Sequence, residues 1–99
     1  MDKDLYFEND KEFENYIKGG NYEMSKLIIN TAEEIQSQGI DELTIARVHT
    51  EDTGTIYEIT LERAHIVETL EQNLKIYENE EDYIGCQKIV DMINHFKNT

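Results

Sequence analysis

The spacing of apolar positions changes twice along the chain. From Phe13 to Ile35 apolar residues recur at steps of three and four, the period of a helix face. From Leu43 to Leu61 they alternate: Leu43 and Ile45 against Thr44 and Ala46, then Tyr57, Ile59 and Leu61 against Glu58 and Thr60. That is the period of a half-buried strand. From Ala64 onward the helical period returns. The expected fold class is therefore α+β: two N-terminal helices, a central antiparallel β-hairpin and a C-terminal antiparallel helical hairpin.

Local signals set the boundaries. Asn9 followed by Glu12 has the spacing of a capping box, and Phe13, Tyr16 and Ile17 share the face of the helix it would start. Gly19–Gly20 ends that helix. A second helix is expected over residues 21–38, with Met24, Leu27, Ile28, Thr31 and Ile35 on its apolar face. Gly39 suits the residue just past its end, and Ile40 supplies the apolar residue that folds back. "EDTG" between the alternating runs has turn chemistry. Ala64, Val67, Leu70, Leu74 and Tyr77 form one further helical stripe, and Tyr83, Cys86, Ile89, Ile93 and Phe96 another. They are broken at the acidic knot "ENEED" around residues 78–82. "LYFE" near the start reads as a short edge strand or a docked tail.

Length makes this one small domain over residues 1–99, with a single compact core. There is no proline to break the helices. One cysteine, Cys86, excludes an internal disulfide and suits a reducing compartment. "MDKDLYFEND" has no secretory n- and h-regions, and no apolar run approaches the roughly 20 residues of a membrane span. The expected location is cytoplasmic.

Charge changes the picture most. Twenty-two acidic and nine basic residues leave a net −13. Such a field repels phosphate backbones and anionic lipid and attracts basic surfaces. The expectation is no direct nucleic acid and no membrane, but a protein partner, including a basic nucleic-acid-binding protein. A homodimer completing its core across a twofold axis is a further option.

Leu70, Glu71, Leu74, Tyr83, Cys86, Ile89, Asp91 and Ile93 follow a pattern that resembles the UVR motif, over about residues 70–96. Ile84, Gln87 and Val90 depart from it, standing where the motif has an acid, a small residue and an arginine. The resemblance implies a helical hairpin used for protein–protein contact, with no catalysis. The plain alternative is an antiparallel helix pair with an aromatic just after the turn to plug the bend.

The other motifs weigh less. "DTG" at Asp52–Gly54 is the aspartic-protease triplet, but such a site needs a strand-lined cleft, and "HTE" replaces the apolar residues that should precede it. A hairpin turn is the competing reading. His49, His65 and His95 are scattered. His65 and Glu68 stand three apart on a helix, as a surface pair or a metal-binding pair. Cys86 lies on an apolar stripe beside acids, which disfavours a thiolate nucleophile. "ENEED" lacks the alternating ligands and central glycine of a calcium loop, and "KGGNYEMSK" lacks phosphate-loop spacing.

No catalytic residue, metal site or cofactor is expected. The sequence reads as a non-catalytic interaction module, a small regulator or inhibitor of the kind phages encode. Its apolar contact candidates are Tyr77, Tyr83, Ile84 and Phe96. Its acidic candidates are Glu33, Glu34, Asp41, Glu42, Glu78, Glu80, Glu81 and Asp82. If the acids act together, the alternative is a DNA mimic that occludes the nucleic-acid groove of a basic partner, since a duplex presents one charge per roughly 1.7 Å of axis. Small-molecule or metal-dependent binding is the distant option.

Overall fold

The computed structural model describes residues 3–18 and 20–98. The elements run β1 (Asp4–Phe7), α1 (Asp10–Ile17), α2 (Tyr22–Gln38), β2 (Glu42–Thr50), β3 (Thr55–Glu62), a 3-10 turn at Arg63–His65, α3 (Ile66–Asn79) and α4 (Tyr83–Lys97). The class is α+β: four helices and a three-stranded sheet of order β1-β2-β3.

The sheet is mixed, which corrects the expectation of an antiparallel hairpin, and "LYFE" supplies the edge strand. β2 and β3 pair antiparallel, but β1 precedes both helices and pairs parallel with β2, Leu5 opposite Val48 and Phe7 opposite Thr50. Parallel neighbours need a crossover, and α1 with α2 supplies it. The end of β1 also holds the hairpin turn: the Glu51 and Asp52 amides donate to the Phe7 and Glu8 carbonyls at 2.9 and 3.0 Å.

Helix starts follow the caps. The Asn9 side chain accepts from the Glu12 amide at 2.9 Å and that of Asn21 from Met24 at 3.0 Å, each satisfying a donor that the first turn leaves open. Gly20 stands at φ +85°, while Gly19 lies outside the described residues. Gly39, at φ +65°, closes α2 by donating to the Ile35 carbonyl.

The phase of several stripes differs from expectation. α2 buries Ser25, Ile29 and Ala32 besides Met24, Thr31 and Ile35, leaving Leu27 and Ile28 half-buried. It is covered by β2, α3 and α4 together, so its buried arc is wide. α3 buries Ile66, Leu70, Asn73 and Tyr77, with Val67 and Leu74 half-buried and Ala64 exposed. In β2 the register shifts between Thr44 and Ala46, so Ile45 and Ala46 are both buried instead of alternating. A bulge of this kind resets which residues face inward. Beyond it Val48 and Thr50 face the core and Arg47 and His49 the open face.

The main core joins α2, α3 and α4 to the inner face of β2 and β3, around Ile29, Ile35, Ala46, Leu61, Leu70 and Ile89. A second cluster, Phe7, Phe13 and Val48, lies under α1. There Phe13 contacts Phe7 and Tyr57 at ring-centre distances of 5.2 and 6.0 Å, and the Tyr57 hydroxyl donates to Asp10 at 3.1 Å.

Candidate interaction surface on the C-terminal helical hairpin

The acidic knot is two devices back to back. The Glu81 amide donates to the Glu78 carbonyl and the Asp82 amide to the Tyr77 carbonyl, both at 3.0 Å, with Glu81 at φ +57°. This is a Schellman stop with glutamate in the place glycine usually takes. Asp82 then starts α4: its Oδ1 accepts from the Gly85 amide at 2.9 Å, and its Oδ2 accepts from the Tyr22 hydroxyl at 2.7 Å. These two bonds, the tyrosine's foremost, hold the Asp82 carboxyl below its usual range. The same bond, followed by burial, pushes Tyr22 up to about 12.

The four apolar candidates separate. Tyr77 is 5% exposed and Phe96 8%, so both are core residues and not docking residues. Tyr77 packs edge-on against Tyr22, with ring centres 5.3 Å apart. A Cβ at Gly85 would lie 2.4 Å from the Tyr77 ring. Tyr77 thus fills the bend, a role the sequence pattern assigns to the aromatic after the turn. Tyr83, that aromatic, is 69% exposed, and Ile84 beside it is 88% exposed. They line an open groove of about 610 Å³ between α4 and α2, with Gln87, Lys88 and Asp91 on one side and Glu33 and Gln36 on the other. Lys88 spans it, 2.7 Å from Glu33. Val90, two turns along the Tyr83 face, is also exposed.

The acidic candidates lie in four places. Glu33 borders this groove, and Glu34 lines a recess with Thr31 and Thr44. Asp41 and Glu42 open β2, where Glu42 stands opposite Glu62, a like-charge cross-strand pair. Glu78, Glu80 and Glu81 are exposed at the α3–α4 turn beside Asp82, which is committed to capping.

Elsewhere, Asp52 is exposed in the hairpin turn, and the Thr53 hydroxyl there bonds those of Thr50 and Thr55 at 3.0 and 2.7 Å. His65 is exposed, its nearest carboxylate being Glu62 at 3.9 Å. Among the described residues no group of three or more His, Cys, Asp and Glu lies close enough together to hold a metal ion. Cys86 is half-buried, and burial, then Glu78 and Asp82, push its thiol up. On the open face of the sheet Asp4 bonds His49 at 2.9 Å and meets Arg47 Nε at 3.2 Å, without the alignment of a hydrogen bond to the latter. The His49 bond is foremost in lowering the Asp4 carboxyl. Tyr6 stacks on His49 at 4.5 Å. Neither this cluster nor the buried pair Ser25–Asn73 stands out in the sequence, because strand register and helix phase bring their members together.

Among the described residues no helix is long and apolar enough to cross a membrane. Compared with protein-family models, curated proteins and solved structures, the chain has no match.

Proposed function

We propose that the chain is a non-catalytic protein-interaction module that docks through the Tyr83–Ile84 face of α4. One observation carries this reading: two consecutive large apolar side chains stand out of the first turn of α4, beside an open groove, with more than two thirds of each exposed. Isolated exposed apolar residues need no explanation, but adjacent ones beside a concavity mark an interaction surface. An aromatic in such a place is the residue type that dominates binding energy.

The partner's chemistry follows from charge. Lys88, the cation in the groove, is paired with Glu33. Glu80 and Glu81 lie just before Tyr83, and the whole chain carries −13. A second copy would bring the same charge to the contact. A protein with an apolar recess bordered by Lys and Arg is the complementary surface, and acids at the rim would speed its approach. Regulation or inhibition of that partner by occlusion is the accompanying role.

Tyr83→Ser with Ile84→Ser tests the reading. Both side chains are exposed, so the fold is retained. Wild type and variant are used to capture proteins from a cell lysate, eluted by a salt gradient. The expected result is a partner held by the wild type into moderate salt and lost by the variant. A partner kept by the variant but released by salt, and lost when Glu78, Glu80 and Glu81 become Gln, would support electrostatic DNA mimicry instead.

A further inference from the structure

A second concavity lies away from the Tyr83–Ile84 groove and shares no residue with it. It has a volume of about 220 Å³ and sits between α1, α2, β3 and α3. Its walls are mainly aliphatic, with Met24, Ile28, Ile59 and Ile76 among them. A cavity of roughly 150 Å³ accommodates benzene, so this one has room for a larger ring.

Besides Asn21 at the rim, two polar side chains break the apolar lining. Ser25 and Asn73 are both more than nine-tenths buried, 1% and 5% exposed. The Ser25 hydroxyl donates to Asn73 Oδ1 at 2.6 Å, and Asn73 Nδ2 donates to the Thr69 carbonyl at 2.7 Å. These bonds leave the lone pairs of Ser25 Oγ and the second Nδ2 hydrogen. Where α2 meets α3, two aliphatic residues would serve packing alone, and Asn is a poor residue for a helix interior. The other buried hydroxyls have local uses: Thr31 bonds the Leu27 carbonyl and Thr50 the hairpin turn.

The rim points the same way. Ile17, Gly20 and Asn21 border the cavity at the junction of α1 and α2. Ile17 and Gly20 are exposed, so the cavity reaches the surface there. A Cβ at Gly20 would lie 2.9 Å from the Ile76 side chain, so a larger residue would press on the wall.

We infer that this cavity is a binding site for a small, mainly apolar molecule that carries one hydrogen-bonding group, such as a phenol or an indole. The ring occupies the aliphatic walls. Its polar group meets Ser25 Oγ and the free hydrogen of the Asn73 amide.

Phenol and toluene are the probes, because they share a shape and differ by the hydroxyl. Each is titrated to millimolar concentration into the 15N-labelled full chain and followed by two-dimensional NMR. The expected result is saturable shifts at the Met24, Ser25 and Ile76 backbone amides and the Asn73 side-chain amide, with phenol bound at least as tightly as toluene. Ser25→Ala weakens phenol about five- to tenfold and leaves toluene unchanged. Ile28→Phe, which fills the space from a half-buried position, abolishes both. No saturable shift in the wild type would overturn the inference. So would shifts confined to Tyr83 and Ile84, or equal affinity in Ile28→Phe. Binding of toluene without phenol would overturn the assigned ligand class. The wild-type titration decides the matter even if Ser25→Ala folds poorly.

Discussion

The Tyr22 hydroxyl donates to Asp82 across 2.7 Å, linking the first turn of α2 to the N-cap of α4, sixty positions away in sequence. The same carboxylate caps α4 through the Gly85 amide. One side chain therefore fixes both the start of a helix and its placement against another.

Replacing Asp82 by alanine removes both bonds, and a fall in Tm of roughly 5 °C is expected by calorimetry. Tyr22→Phe keeps the cap and lowers Tm less. The pH dependence has a definite sign. The Asp82 and Asp4 carboxyls are both lowered in the fold. The stability they add is present above the unfolded carboxylate range, near pH 4. It is lost as pH falls through their folded values. Acid titration of Tm should show this loss, and it should shrink in Asp82→Ala and His49→Ala.

Gly85 occupies a helix position where alanine would normally be favoured by about 1 kcal/mol. Here the added methyl meets the Tyr77 ring at 2.4 Å, and that ring is held by Tyr22 and the core. Gly85→Ala should destabilise the protein by about 1–3 kcal/mol in urea denaturation. Combining it with Tyr77→Leu should recover part of the loss relative to the sum of the single changes.

Glu81 holds a left-handed backbone that side chains with a Cβ resist. Glu81→Gly should stabilise by about 0.5–1 kcal/mol, since the Schellman bonds stay and the strain goes. Unfolding in urea measures it. An unchanged midpoint would show that the turn is held in place by the helices alone.

Cys86 is half-buried beside Glu78 and Asp82, and its thiolate is disfavoured on both counts. Its reaction with a disulfide reagent near neutral pH should run slower than that of a free cysteine by about tenfold. Denaturant should remove the difference.

Net charge makes a separate forecast. With −13 on 99 residues, the folded chain repels itself. Tm should climb with sodium chloride up to the range where screening is complete, roughly 0.5 M.

Much of the architecture was legible in sequence because it rests on local chemistry. Asn9 and Gly39 act at the helix ends their residue types suggest, and "EDTG" makes the hairpin turn, while Asn21, expected inside the second helix, caps it. What sequence could not show depends on partners far along the chain. β1 pairs with β2 over a long separation, and no pattern in four residues specifies parallel pairing. The phase of α2 and α3 shifted because burial on several sides widens the apolar arc. Tyr77 and Tyr83 are alike as aromatics flanking a turn. The absence of a side chain at Gly85 decides which of them goes inside. The apolar contact candidates divide in a way the sequence does not show: Tyr83 and Ile84 are exposed and Tyr77 and Phe96 buried, and Glu33 and Gln36 come beside the first two only through the packing of α2 on α4.

The placement of β1 bears on the order of assembly. β2 and β3 are joined by a short turn and can zip together as soon as both exist, whereas each β1 residue finds its β2 neighbour about forty residues later. Closing that long loop costs entropy before any ladder bond repays it. β1, made before β2 and β3, is thus expected to dock after the hairpin has formed. Until it does, the hairpin keeps an open edge on the β2 side, the kind of edge on which another chain can pair.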